Sequence, residues 1–169
     1  MRFFTSRFAT AFGSLRLLAH DDALCGLLLP GEEVPEKEKS PEIWAAASDY
    51  PQHPLLDEAR RQILAYLEGS LRVFKLPLAP QGTAFRQEVW RQLLTIPYGE
   101  TMSYGQLAAR LGDKNKARAV GGAAHHNPIA LIIPCHRLIG ADGGLTGFAG
   151  GLPLKAALLA LERRVRASK

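Results

Sequence analysis

The sequence predicts an α+β protein of two small domains, a strand-rich one over residues 1–79 and a mostly helical one over 80–169. Three observations lead there. Apolar runs of strand length fill the chain as far as Pro30, broken by Gly and Asp turns. After Thr83 the apolar spacing becomes helical and helix caps appear. The charge also changes between the halves: nine Lys/Arg stand against eleven Asp/Glu in 1–79, and twelve against five in 80–169. The second half is therefore basic, with a net charge of +7, which suits binding to a polyanion.

In the first half, Phe3–Arg7, Ser14–His20 and Ala23–Leu29 read as strands bounded by Gly13, Asp21-Asp22 and Pro30-Gly31. The charged, proline-containing stretch 31–41 reads as a surface loop. Leu56, Ile63, Leu64 and Leu67 keep helical spacing from Leu55 to Glu68, and Gly69 stops that helix. Leu71–Leu78 is a further strand candidate. Ala79-Pro80-Gln81-Gly82 reads as the linker between the domains.

The second half opens with a helix capped by Thr83, striped by Phe85, Val89 and Leu93, and ended by Pro97. Ser103 and Gln106 have capping-box spacing and start a short helix that stops at Gly112. A second helical segment runs from Lys116 to about His125. Two short helices around a Gly-containing turn, with Lys114, Lys116 and Arg118 at the start of the second, have helix-turn-helix form. Residues 117–124 hold almost no large side chain besides Arg118. Such a slim helix has few groups for reading base edges but fits a minor groove, where Arg118 is long enough to enter the stack. The alternative is a helix buried through its small residues, which Arg118 in its middle would make costly.

No apolar run is long enough to span a bilayer, and Arg7 and Arg16 interrupt every candidate signal-peptide core. The expectation is a cytoplasmic monomer without a membrane partner. Cys25 and Cys135 read as reduced thiols. His20, Cys25 and His53 would hold a metal only if the fold gathered them, so no metal or cofactor is expected.

Ile129–Ile133 reads as a buried strand leading into Pro134-Cys135-His136-Arg137. Cys25, in an apolar strand, reads as a small inert hydrophobe. Cys135 differs, because His136 and Arg137 beside it favour the thiolate. Neighbouring side chains in extended chain point apart, so His136 would act on Cys135 through a bridging water or a local turn. A base for a thiol needs an orienting acid, and Glu162 on the helix begun by Pro153 is the best candidate. Glu162 has an equally good alternative in an exposed ion pair with Arg166 one turn on.

Ile132-Ile133-Pro134-Cys135-His136-Arg137, with Gly147-Phe148-Ala149-Gly150-Gly151 downstream, resembles the O6-alkylguanine-DNA alkyltransferases. The likeness extends to Pro97–Tyr104, Ala117–Ala123 and Glu162, and so covers nearly all of 83–162. It implies a ribonuclease-H-like α/β fold for the first domain and a winged helix-turn-helix-like second domain. It also implies direct repair of alkylated duplex DNA, in which one chain accepts one alkyl group from O6-alkylguanine, and from O4-alkylthymine, after base flipping. Cys135 would be the acceptor, His136 its base through a water, Glu162 the orienting acid and Asn127 the residue fixing the turn before the acceptor. Tyr104 would serve guanine N3. Carbonyls of Cys135 and Leu138 would accept from the exocyclic amine, the amide of Ala149 would bond O6, and Phe148 and Gly150 would complete the base pocket. Arg118 would fill the gap left by the flipped base. Lys114, Lys116, Ala117, Ala119, Gly121, Gln106, His125 and Arg137 would join it against DNA. Many relatives have Tyr at Phe148, some Ser at Ala149 and some Arg at His125. A lesion-binding protein without chemistry and a helix-turn-helix regulator are the rival readings, the first of which typically lacks the cysteine.

Overall fold

The computed structural model describes residues 2–32, 40–50, 52–148 and 150–168, so most of the expected surface loop at 31–41 lies outside the described residues. Strands β1 (Phe4–Thr10), β2 (Gly13–Ala19) and β3 (Leu24–Leu28) form an antiparallel meander, with Phe4 opposite Ala19 and Thr10 opposite Gly13. A short helix, α1 (Pro41–Ala46), leads to β4 (Ser48–Asp49), which lies parallel to β1 and completes the order β3-β2-β1-β4. Three antiparallel strands followed by one parallel to the first is the ribonuclease-H-like arrangement that the resemblance implies.

Helix α2 (Pro54–Glu68) packs on β1 and β2 through its buried residues Leu56, Ala59, Ile63 and Tyr66. Its first turn is capped by His53, whose Nδ1 accepts from the Leu55 amide at 3.2 Å. Trp44 of α1 clusters with Leu18, Cys25 and Leu28. The indole lies so close over Gly26 that a Cβ there would sit 2.5 Å from it, which excludes any larger residue. Leu71–Leu78 does not form the expected strand; among its residues only Leu78 bridges a strand, at Leu24. The side chain of Gln62 bonds both the amide (2.9 Å) and the carbonyl (3.1 Å) of Lys75, taking groups that a ladder would need. Pro77 has no N–H to continue one.

The chain divides into two compact units, 1–81 with 128–130, and 82–127 with 131–169. Residues 128–130 group with the first because the Leu27 amide donates to the Pro128 carbonyl (2.8 Å) and Leu27 bridges Ile129.

The second unit begins with α3 (Ala84–Leu93), where Thr83 Oγ1 accepts from the Arg86 amide at 3.2 Å. The helix stops before Pro97 is reached, because Thr95 and Ile96 bond back to Gln92 and Leu93 in a tighter turn. Strand β5 (Met102–Ser103) runs into α4 (Tyr104–Arg110). Both arms of the capping box are made, Gln106 N to Ser103 Oγ at 3.1 Å and Ser103 N to Gln106 Oε1 at 2.9 Å. A 3-10 turn over Lys114–Lys116 and α5 (Ala117–His125) complete a helix-turn-helix. Strand β6 (Leu138–Ile139) pairs in parallel with β5, and α6 (Leu152–Ala167) ends the fold. Val89, Trp90, Leu93, Leu107, Val120, Leu138 and Leu158 form the core, where Trp90 Nε1 donates to the Ala123 carbonyl at 2.9 Å.

Candidate active site

The segment before the acceptor cysteine is buried, as expected, but it is a turn and not a strand. Leu131 takes a left-handed conformation (φ 75°) that no strand tolerates. Asn127 closes the turn by donating from Nδ2 to the Ile133 carbonyl at 2.8 Å. After Pro134 the chain enters a 3-10 turn over Cys135–Arg137, in which the Arg137 amide donates to the Pro134 carbonyl at 3.0 Å. The backbone at Cys135–His136 is therefore not the extended chain in which neighbouring side chains point apart. Cys135 is 8% exposed and His136 fully buried.

Glu162, also fully buried, is the centre of the polar cluster. His136 Nε2 bonds its Oε2 at 2.7 Å. Arg137 grips both oxygens, Nε on Oε1 at 2.9 Å and Nη2 on Oε2 at 3.0 Å, and its Nη1 donates to the Ile96 carbonyl at 2.8 Å. The Gly99 amide adds a bond to Oε1 at 3.1 Å, from a turn whose φ of 79° suits glycine. Burial works to raise the Glu162 carboxyl, but the hydrogen bonds from His136 and Arg137 outweigh it and hold it at about 2. Burial pushes His136 below its ordinary value against the pull of Glu162. Glu162 is thus a carboxylate beside a neutral imidazole, and the ring nitrogen facing it must carry the proton. That leaves Nδ1 as the basic nitrogen.

A lysine completes the surroundings of the cysteine. Lys155, on α6, is fully buried; its Nζ donates to the Thr146 carbonyl at 2.9 Å. Burial lowers its pKa, while the charge of Cys135 acts in the opposite direction, so an ammonium lies within electrostatic reach of the sulfur. Thr146 Oγ1 in turn donates to the Tyr104 hydroxyl at 2.7 Å.

The second helix of the helix-turn-helix is not buried all round. Val120, Ala123 and Ala124 face inward, while Arg118, Ala119, Gly122 and His125 form an exposed face of small residues with a cation or imidazole at each end. Lys114 and Lys116 are exposed beside its start, and Gly121 lies next to the Tyr104 ring.

A family model described as the DNA-binding domain of 6-O-methylguanine DNA methyltransferase matches residues 84–164. A methylated-DNA–protein-cysteine methyltransferase of Methanosarcina acetivorans is 47% identical over 127 residues, covering 75% of this chain and 78% of that protein. The chain belongs to the methylated-DNA–protein-cysteine methyltransferase family. A crystal structure of Mycobacterium tuberculosis O6-methylguanine methyltransferase superposes with a TM-score of 0.87 at 41% identity, covering 99% of this chain and 96% of that one. A structure of OGT from the same organism in complex with DNA gives 0.86 at 41% identity, over 96% and 94%.

In this member of the methyltransferase family, His136 and Glu162 bond each other, Asn127 closes the turn that leads to Cys135, and Glu162 is not paired with Arg166. That arginine reaches Glu100 (3.6 Å) and the Gly99 carbonyl (3.3 Å) instead. Arg137 departs from the expected DNA-facing set: it is 8% exposed, and all the bonds given above point inward. A guanidinium so buried is stable only against a matching carboxylate. Leu138 is buried and Phe148 and Gly150 are half-buried, while Ala149 lies outside the described residues. Gln106 is exposed, though its side-chain oxygen is committed to the cap. Lys155 and Thr146 were not anticipated. For Lys155 a signal existed: with Leu158, Leu159 and Glu162 it keeps one helical face. His20 and His53 serve local backbone amides, and burial pushes the Cys25 thiol up to about 11. Among the described residues no group of three or more His, Cys, Asp or Glu could hold a metal.

Proposed function

We propose that this chain repairs alkylated duplex DNA by moving the alkyl group from O6 of guanine to Cys135, once per molecule. The observation that carries this reading is the Glu162–His136 pair, buried at 2.7 Å in the turn that presents Cys135. The ionised Glu162 holds His136 with the proton on Nε2, so that Nδ1 is the nitrogen able to act as a base, through a water, on the thiol. Lys155 offsets the charge of the thiolate. The slim exposed face of α5 enters the minor groove, and Arg118 takes the place of the flipped nucleotide.

In the transfer step the sulfur forms a bond to the alkyl carbon and the carbon–O6 bond breaks, its electron pair passing to the purine. The proton lost from the thiol is balanced by the one guanine gains at N3, delivered by Tyr104. The product is a thioether with no easily expelled group, so Cys135 is not regenerated. DNA and the protein supply every atom of this reaction. No helix among the described residues is long and apolar enough to cross a membrane. Cys25 and Cys135 are thiols outside any disulfide, which suits a reducing compartment, the cytoplasm, and the protein acts as a monomer.

The test is intact-protein mass spectrometry after incubation with excess duplex containing O6-methylguanine. The expected result is a gain of one methylene, mapped to Cys135 and stopping at one per chain, with Cys135→Ala binding DNA but gaining nothing. Binding without mass change would favour a lesion-binding protein. Many turnovers with Cys135 unmodified would overturn the mechanism.

A further inference from the structure

The loop between β6 and α6 carries a side chain that joins two parts of the site. Thr146 is held from its backbone side by Lys155, whose buried ammonium takes the Thr146 carbonyl at 2.9 Å. The loop before it is stiffened by its own bonds, Gly140 to the Gly144 carbonyl at 2.8 Å and Gly144 to Asp142 Oδ1 at 2.8 Å. From this anchored position the Thr146 hydroxyl donates to the Tyr104 oxygen at 2.7 Å. The Tyr104 ring lies on its other side against α5, close enough that a Cβ at Gly121 would touch it at 3.7 Å.

We infer that Thr146 is a positioning residue that turns the Tyr104 proton towards the bound base. A phenol oxygen that accepts a hydrogen bond must point its own O–H elsewhere, and acceptance polarises that O–H into a better donor. The carbonyl of the same residue accepts from the Lys155 ammonium, which acts electrostatically on Cys135. Thr146 therefore bonds both the group that protonates the departing purine and the Lys155 ammonium. This inference rests on the reading that Tyr104 supplies the proton to guanine.

The experiment is single-turnover transfer from O6-methylguanine duplex at saturating protein, with duplex affinity measured separately. Thr146→Val keeps the shape and removes the hydroxyl; it should slow transfer about tenfold, the scale of one lost hydrogen bond, with affinity within about twofold. Thr146→Ser should restore most of the rate. In a Tyr104→Phe background, Thr146→Val should add less than about twofold, because the atom it acts on is gone. An equal loss in both backgrounds, or no loss in Thr146→Val alone, would overturn the role assigned to Thr146. Tyr104→Phe at the native rate would instead strike the reading of Tyr104 and take this inference with it.

Discussion

Arg137 shows how one side chain can be the most local of signals and still act over a distance. It stands two residues from the acceptor and is basic, which suits a phosphate contact; its three nitrogens nevertheless hold Glu162 and the Ile96 carbonyl. The planar fork matches both carboxylate oxygens at once, which a lysine cannot do. Arg137→Leu would leave a buried carboxylate short of its strongest partner, a change that costs about 3–5 kcal/mol. Urea denaturation should show a loss of that order, and Arg137→Lys should recover only part of it. Native stability of Arg137→Leu combined with weakened DNA binding would return this residue to the DNA face.

At the scale of the element, α5 divides its two sides between packing and contact. The inward side is closed by Val120 and Ala123, whose carbonyl also receives Trp90. The outward side has open space at Gly122, where a Cβ would meet nothing within 4 Å. Gly122→Ala should therefore stabilise the helix by up to about 1 kcal/mol, seen as a higher thermal midpoint. Gly122→Phe should fold equally well yet lose duplex affinity at least about tenfold by fluorescence anisotropy, since a ring there holds the helix away from a narrow groove. Native affinity in Gly122→Phe would mean that DNA meets another surface.

For the whole molecule the buried cluster sets a dependence of stability on pH. Burial lowers His136 from 6.5 and hydrogen bonds hold Glu162 near 2 instead of 4.5, so the unfolded chain binds more protons than the folded one as the medium is acidified. Both groups thus stabilise the fold above their unfolded values and lose that contribution as pH falls through the folded ones. Denaturation free energy should decline below about pH 6.5 and more steeply between 4.5 and 2, the Glu162 part being on the order of 3 kcal/mol. Glu162→Gln should flatten the lower limb. A limb of the same steepness in that variant would assign acid sensitivity to other carboxylates.

Much of this was legible in the chain because the signals are local. The turns at Gly13 and Asp21-Asp22 delimit β1–β3, the Thr83 cap and the Ser103–Gln106 box mark their helices, and Cys135 with His136 announces the chemistry within a few residues. Leu71–Leu78 misled because its backbone groups are taken by Gln62, 13 residues from Lys75. Residues 129–133 misled because burial alone does not separate a strand from a turn closed by Asn127. The sequence by itself determined the first three strands, helices α2–α6, the family and the candidate acceptor, since period, cap and motif act between near neighbours. Only the tertiary structure decided that Arg137 turns inward, that Glu162 pairs with it and not with Arg166, and that Lys155 bonds Thr146 and Thr146 bonds Tyr104. Those outcomes depend on partners 25 residues away for Arg137 and Glu162 and 63 for Gly99 and Glu162. A buried charge takes whichever partner the fold brings to it, and no spacing along the chain records that choice.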